Sequence, residues 1–360
     1  MKILRRYILQ ELWLPFILSL LTLNFIFMAG YLVRAANFII GRGVPITDTF
    51  YVILLAFPDM ISYTVPMSLL MGVMIVYGNL SQHNEIRAVK ASGVHPMQII
   101  APSLVVGLIL SFFMFVFNDQ VANNSSFELR KNMKRMLIKH PKALIEPGRF
   151  VKISNNIIFL AKQITDDSLR DIVAYEVGEE DKPIRTILAA SGEIVSDPEH
   201  GSMQVRLYNG SISDAEEKGV QAIQFQSYEF PTIGQEDVSK MHKKMREYSL
   251  AELLMLPRNP KFPKEERVDV RTAFHQRIAF SMACFMFAFI GIPTAILVRR
   301  GEIVAGFAIS MAAACLYYVL FAGAKTLAIR GVLPPPMALW MPNILLFVIG
   351  GYFLRRSFVN

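Results

Sequence analysis

No G-x-x-x-x-G-K-[ST] run occurs in this sequence, so the chain has no phosphate-cradling loop of the usual kind. Its six histidines are scattered, with neither an H-E-x-x-H nor a Cys/His cluster, and therefore form no metal-ligand pattern. No Ser, Cys or Thr stands in a recognisable nucleophile signature. There are only two cysteines, Cys284 and Cys315, and both fall inside apolar runs. That excludes a disulfide-stapled fold for the polar part of the chain and leaves packing as their reading. Charge is scarce as well, at 18% of residues against roughly a quarter in soluble proteins.

Apolar residues fill the space, at 53% of the chain. Runs long enough to cross a bilayer lie at Leu12–Val33, Phe50–Tyr77, Ile99–Phe117, Ile278–Val298, Ile303–Ala324 and Met337–Leu354. The stretch between the third and fourth has ordinary soluble composition and is long enough to bury a core of its own. The expected architecture is an α-helical membrane protein with six transmembrane helices, three plus three, and an inserted all-β domain. Its sections are 1–117, with a short helix at 81–93, then 118–277, then 278–360.

The net charge of +8 does not point to nucleic acid. Residues 118–277 hold 24 basic and 24 acidic side chains, so the whole excess belongs to the membrane sections. One set of ends and short loops carries Lys2, Arg5, Arg6, Arg87, Lys90, Arg299, Arg300, Arg355 and Arg356, against only Arg34, Arg42, Lys325 and Arg330 on the other. By the positive-inside rule both termini and the 80–96 segment face the cytoplasm and the large insert faces out. Leu12–Val33 is too long for a signal-peptide core and lacks a clear small-x-small site, so cleavage there is not expected.

Within the insert, Asp119 to about His140 has helical residues and continues the third span, until Pro141 and Pro147-Gly148 break the pattern. From Arg149 the period becomes two. RFVKISNNIIFLAKQI reads as a hairpin turning at Asn155-Asn156. Further alternating runs follow at Asp171–Val177, Arg185–Val195, Ser202–Ile212 and Gln221–Phe230, with turns at Glu179–Pro183, Asp197–Gly201 and Asp214–Gly219. Short strands with no helices between them indicate a sandwich or open barrel, with Val151, Ile153, Ile157, Phe159, Val205 and Leu207 turned inward. Ser249-Leu-Ala-Glu252 is a capping box opening a short helix that Pro257 ends, and Pro257–Pro263 leads back to the membrane. Of the ionisable residues, only Asp59 lies well inside a span. Following Pro58, it reads as a helix break near the interface ahead of an ion-coupling site.

LSQHNEIRAVKASGVHP, residues 80–96, is a polar interlude between two greasy spans. Ser81 can cap its start, Gly93 can close its end in the left-handed conformation, and Pro96 blocks continuation. Ile86, Ala88 and Val89 make a small apolar side, with Glu85, Arg87 and Lys90 as polar handles. Such a helix can seat in a groove of a soluble ATPase and pass movement to the attached spans; the same residues equally make a solvated loop helix.

The flanking residues resemble the lipopolysaccharide-export permeases, the LptF/LptG family. The resemblance rests on Pro58, Pro66, Gly72, Gly78, Glu85, Ala88, Ala91 and Gly93 around span two, on Arg6-Tyr7, Glu11 and Pro15-Phe16 at the start, and on His275, Arg277, Ala283, Gly291, Pro293 and Gly301 around span four. Phe280-Ser281 departs from the family's frequent Leu-Pro there. The resemblance implies an inner-membrane permease subunit of an ABC transporter, with a jellyroll-like periplasmic domain. It would extract lipopolysaccharide and hand it through that domain to a periplasmic bridge. Implied partners are a second permease subunit (a paralogue or a second copy), a cytoplasmic ABC ATPase dimer, the bridge protein and a single-span jellyroll protein. No cofactor is implied in this chain, since ATP and magnesium would sit on the ATPase. Glu85, Arg87 and Lys90 would contact the ATPase. Arg34, Arg42, Lys325 and Arg330 would meet lipid phosphates, although each basic residue could instead only mark or snorkel to an interface. An ion-coupled lipid carrier and a membrane-anchored sensor or scaffold are the alternative classes.

Overall fold

The computed structural model describes residues 2–42, 44–139, 148, 150–154, 157–165, 168–177, 183–197, 202–214, 222–230, 233–234, 241–256, 266–298 and 303–359. Six helical segments are long and apolar enough to cross a membrane. They are built from α1 (Lys2–Arg42), α2 (Ile46–Gln82), α4 (Met97–Phe117) with its continuation, α7 (Glu266–Ser281) with α8 (Ala283–Val298), α9 (Ile303–Ile329) and α10 (Pro335–Val359). A short helix, α3 (Glu85–Ala91), joins α2 to α4. The third span runs on through a π-helical turn, Asn118–Ala122, into α5 (Asn123–Lys139). After the strands a 3₁₀ turn (Met245–Glu247) and α6 (Leu250–Met255) precede α7. The breaks read at Pro141 and Pro147, the turns at Asn155-Asn156 and around 179, 199 and 217, the 257–263 connection, and Arg299, Arg300 and Gly301 lie outside the described residues.

The chain divides into two compact units, one of residues 1–30, 55–127 and 243–360, the other of 31–54 and 128–242. In the first, lipid-soluble helices gain nothing from hydrophobic burial against one another, so close packing and interhelical hydrogen bonds hold them. A Cβ placed on Gly107 of α4 would come within 3.0 Å of Ala288 Cβ and 3.3 Å of Phe285 Cα in α8, so the bare backbone is what lets these helices touch. Buried hydroxyls find partners on neighbouring helices. Tyr77 donates to Ile99 O at 2.8 Å, Tyr318 to Tyr63 O at 2.9 Å, and Asn343 Nδ2 to Ala279 O at 2.8 Å. At Phe280-Ser281 helical geometry lapses for one residue, Met282, between α7 and α8, and Ser281 Oγ bonds back to Arg277 O at 2.9 Å.

The second unit contains the inserted sheet. β1 (Val151–Ser154), β2 (Ile157–Thr165), β3 (Ser168–Val177), β4 (Pro183–Asp197), β5 (Ser202–Asp214) and β6 (Ala222–Glu229) pair antiparallel in chain order, and β7 (Ile233–Gly234) pairs with β5. One row across this meander is irregular. The pairs that Lys162, Asp171, Ala190, Asn209 and Gln226 would form are missing from four consecutive ladders, while the register on either side is unchanged. Two residues of that row, Asp171 and Asn209, are left-handed, each with φ of 52°. Asp and Asn tolerate this conformation better than other side-chain-bearing residues do.

The row is a crease. Ala174 and Leu169 of β3 are five positions apart, which on a straight strand puts them on opposite faces. Both are buried nonetheless, as are their row partners Phe159 and Ile187 on one side of the crease and Leu207 on the other. The left-handed residues swap the faces, so that one core lies inside a single folded sheet. A Cβ on Gly192 would meet Ile172 Cδ1 at 2.7 Å and Leu207 Cδ2 at 2.9 Å, side chains from the two halves. Of the six residues expected to turn inward, Phe159, Val205 and Leu207 are buried. The side chains of Val151, Ile153 and Ile157 lie outside the described residues.

Candidate functional site

At one end of the helical unit the polar interlude forms a helix later and shorter than the sequence suggests. α2 runs on through Ser81 to Gln82, and the residue before α3 is Asn84, left-handed at φ 59° with no side-chain cap. Ser81 is therefore not the cap: its hydroxyl points back into the bundle and donates to Ile296 O at 3.3 Å. Gly93 does take the left-handed conformation, φ 81°, and its N–H bonds Lys90 O at 3.0 Å. Ile86 is buried in the core of the membrane helices, with Val89 packed against it. The apolar side of α3 is thus occupied by its own bundle, leaving a polar outer surface. Glu85, half-buried, accepts a hydrogen bond from Tyr7 of α1 at 3.2 Å. Exposed Arg87 bonds Asn84 Oδ1 at 3.2 Å, and Lys90 is half-buried about five-sixths of a turn further on.

The opposite end of the same unit holds a knot that sequence reading missed. Arg277 of α7 forms an ion pair with Asp119 in the π-turn; its side chain is 4% exposed. The guanidinium also donates to Tyr248 O at 2.6 Å, and Asp119 accepts from the Leu250 N–H at 2.7 Å. One buried pair therefore fastens the segment returning from the sheet onto spans three and four. Beside it Asp59 of α2 pairs with Arg246, both partly exposed, and Ser62 donates to Asn118 at 2.5 Å. The helix break expected at Asp59 does not occur, because α2 passes through Pro58 and Asp59 unbroken and the carboxylate has a cation of its own. The Ser249 capping box forms as expected, with Ser249 N donating to Glu252 Oε2 at 2.6 Å and Glu252 N to Ser249 Oγ at 3.2 Å. Burial pushes the Glu252 carboxyl up, but the Ser249 N–H and the Lys243 ammonium, 2.9 Å away, outweigh it and hold the group below its ordinary value. π-turns within α-helices recur at functional sites; only the placement of Asp119 at the end of an apolar run hinted at this one.

The four basic residues read as lipid contacts fall in different units. Arg34 is exposed, lies 5.7 Å from the Tyr31 ring centre, and edges a cavity of about 160 Å³ lined by Phe38, Val52, Met133 and Met136. Arg42 ends α1, and its side chain lies outside the described residues. Lys325 is half-buried on α9 within electrostatic range of Arg246. Arg330 is exposed just beyond α9, where left-handed Gly331 closes the helix. Along the sheet's crease lies an open hollow of about 840 Å³ bordered by Lys162, Asp171, Leu188 and Phe225. Among the described residues no group of His, Cys, Asp and Glu could hold a metal ion.

Comparison with known proteins gives one family. Residues 6–356 match the family described as lipopolysaccharide export system permease LptF/LptG. The chain is 20% identical over 348 residues to the lipopolysaccharide export system permease protein LptF of Escherichia coli (strain K12), covering 94% of this chain and 91% of that protein. The LptF of Shigella flexneri matches to the same extent. An uncharacterized protein of Rickettsia prowazekii (strain Madrid E) is 23% identical over 158 residues, which is 44% of each chain. That match therefore spans under half the length of the Rickettsia protein.

Proposed function

The chain belongs to the lipopolysaccharide export system permease LptF/LptG family, and from that premise we propose that it is the permease subunit of an ATP-driven extractor of lipopolysaccharide from the inner membrane. Membership gives a multi-pass membrane protein with a transport role at family level. Both termini and α3 face the cytoplasm, the creased sheet faces the periplasm, and ATP is bound and hydrolysed by a separate ABC chain. A second permease subunit completes the cavity, and a bridge protein and a single-span jellyroll protein receive the lipid.

The observation that carries this reading is the mounting of α3. Its apolar side is sunk into the helix bundle through Ile86, and its first residue is tied to α1 by the Tyr7–Glu85 bond. A push on the outer face of α3 is therefore delivered to spans one, two and three. Energetics supply the reason for a motor. Each buried CH₂ is worth about 0.8 kcal/mol, so withdrawing a lipid with several acyl chains costs on the order of tens of kcal/mol unless an apolar cavity replaces the bilayer.

In this proposal Glu85, Arg87 and Lys90 meet the ATPase, and Arg34, Arg42, Lys325 and Arg330 meet lipid phosphates. Purification in mild detergent with mass spectrometry of bound proteins and lipids tests it. A stoichiometric P-loop ATPase together with a phosphorylated glycolipid is expected, and Glu85→Lys should strip the ATPase or uncouple hydrolysis from export. Because Glu85 also holds Tyr7, Tyr7→Phe is the companion variant. It removes the intramolecular bond alone and should leave the ATPase bound. A chain that purifies alone would overturn the reading. Arg34→Ala and Lys325→Ala should each weaken photo-cross-linking to lipopolysaccharide; unaltered cross-linking would remove both from the lipid path.

A further inference from the structure

On the end of the helical unit that carries α3, spans one, two and three leave a groove of about 880 Å³. Its walls are apolar: Leu9, Trp13 and Phe16 of α1, Leu69 of α2, and Ile109 and Leu110 of α4. Trp13 is 65% exposed and Ile109 61%. One end of the groove is formed by Lys2, Arg5 and Arg6, all exposed. No ion pair neutralises any of the three among the described residues.

We propose that this groove is a binding site for one anionic glycerophospholipid of the surrounding bilayer, separate from the transported lipid. Three observations fit that occupant together. Charge is the first: three unneutralised cations at a membrane face call for a phosphodiester, and the Arg5 and Arg6 guanidiniums match its oxygens bidentately. Length is the second. From Arg6 to Phe16 is ten residues of helix, about 15 Å at 1.5 Å per residue, which is one leaflet of a roughly 30 Å hydrocarbon core. The third is the groove's back wall. Gly72 of α2 lets α1 approach so closely that a Cβ there would lie 3.2 Å from Phe16 N and 3.4 Å from Leu12 Cδ1. The groove is thus backed by protein along the depth an acyl chain would occupy. A headgroup on the cations and tails along Trp13 and Ile109 would cover a helix whose apolar window is only 17% buried by the protein itself.

The test uses the full-length protein in nanodiscs of phosphatidylcholine with and without phosphatidylglycerol, extracted and weighed by native mass spectrometry. The expected result is one retained phosphatidylglycerol in preference to phosphatidylcholine. Retention should fall roughly fivefold for each cation removed in Arg5→Gln and Arg6→Gln. Ile109→Trp fills the groove while leaving every charge in place, and it should expel the lipid as well. Phosphatidylglycerol bound equally by wild type and Ile109→Trp would overturn the proposal, since charge without the groove would then account for it. Retention of lipopolysaccharide in place of glycerophospholipid in material from native membranes would overturn it too. So would cross-linking of Trp13 and Ile109 to another protein chain in those membranes. None of these readouts involves ATP hydrolysis, so the transporter reading stands or falls separately.

Discussion

The two ends of the helical unit are built on opposite principles. Asp59 and Gln82 mark them on α2, 23 residues or about 35 Å apart, enough to span a bilayer. At the Asp59 end Arg277 is nearly inaccessible, and its ion pair, its carbonyl contacts and the Leu250 N–H on Asp119 lock three chain segments together. At the α3 end the hydrogen bonds from Tyr7 to Glu85 and from Arg87 to Asn84 face solvent. Ile86 and Val89 pack that helix against the bundle. The first end is held by several interlocking polar contacts, the second by fewer and more exposed ones.

Breaking the interlocked end should have the largest effect. Arg277→Ala leaves half-buried Asp119 without its cation and should cost about 3 kcal/mol, read as a large fall in thermal unfolding temperature in detergent. Replacing both partners by apolar residues of similar volume should recover much of that loss, because the penalty lies in the unpaired charge. Asp59→Asn sharpens the contrast. Its pair with Arg246 is partly exposed, so the same measurement should change by about 1 kcal/mol or less. Smaller again is the titration of Glu252. Its carboxyl is lowered in the folded protein, so its contribution is complete above the unfolded value of about 4.3 and is lost as pH falls through the lower folded value. Glu252→Gln should flatten the acid limb of a stability-against-pH curve slightly and leave neutral pH nearly unchanged.

Sequence periodicity revealed whatever depends on neighbours along the chain. All six spans appear, although the helices of the first and fourth extend about ten residues beyond their apolar runs; the strand positions agree to within a few residues, and the Ser249 capping box and left-handed Gly93 form, because each is specified by residues within a turn or two. The knot was invisible for the converse reason. Asp119 and Arg277 are 158 residues apart, and each reads locally as a charge flanking a membrane run. Ser81 was the plausible cap, but α2 has enough apolar contact to carry the helix past it, and the chain turns instead at left-handed Asn84. The crease escaped for a subtler reason. Counting alternation straight through β3 and β5 hides a face swap that a single Asp or Asn can impose.

The meander has a consequence for how the chain is made. Each of β2 to β6 pairs with the strand synthesised just before it. Contacts between sequence neighbours form fastest, since little loop entropy is lost in closing them. The strands can therefore zip in order of synthesis, before the last three spans exist. Arg277 lies at the start of those spans, so its pairing with Asp119 comes late, after all the strands have been made.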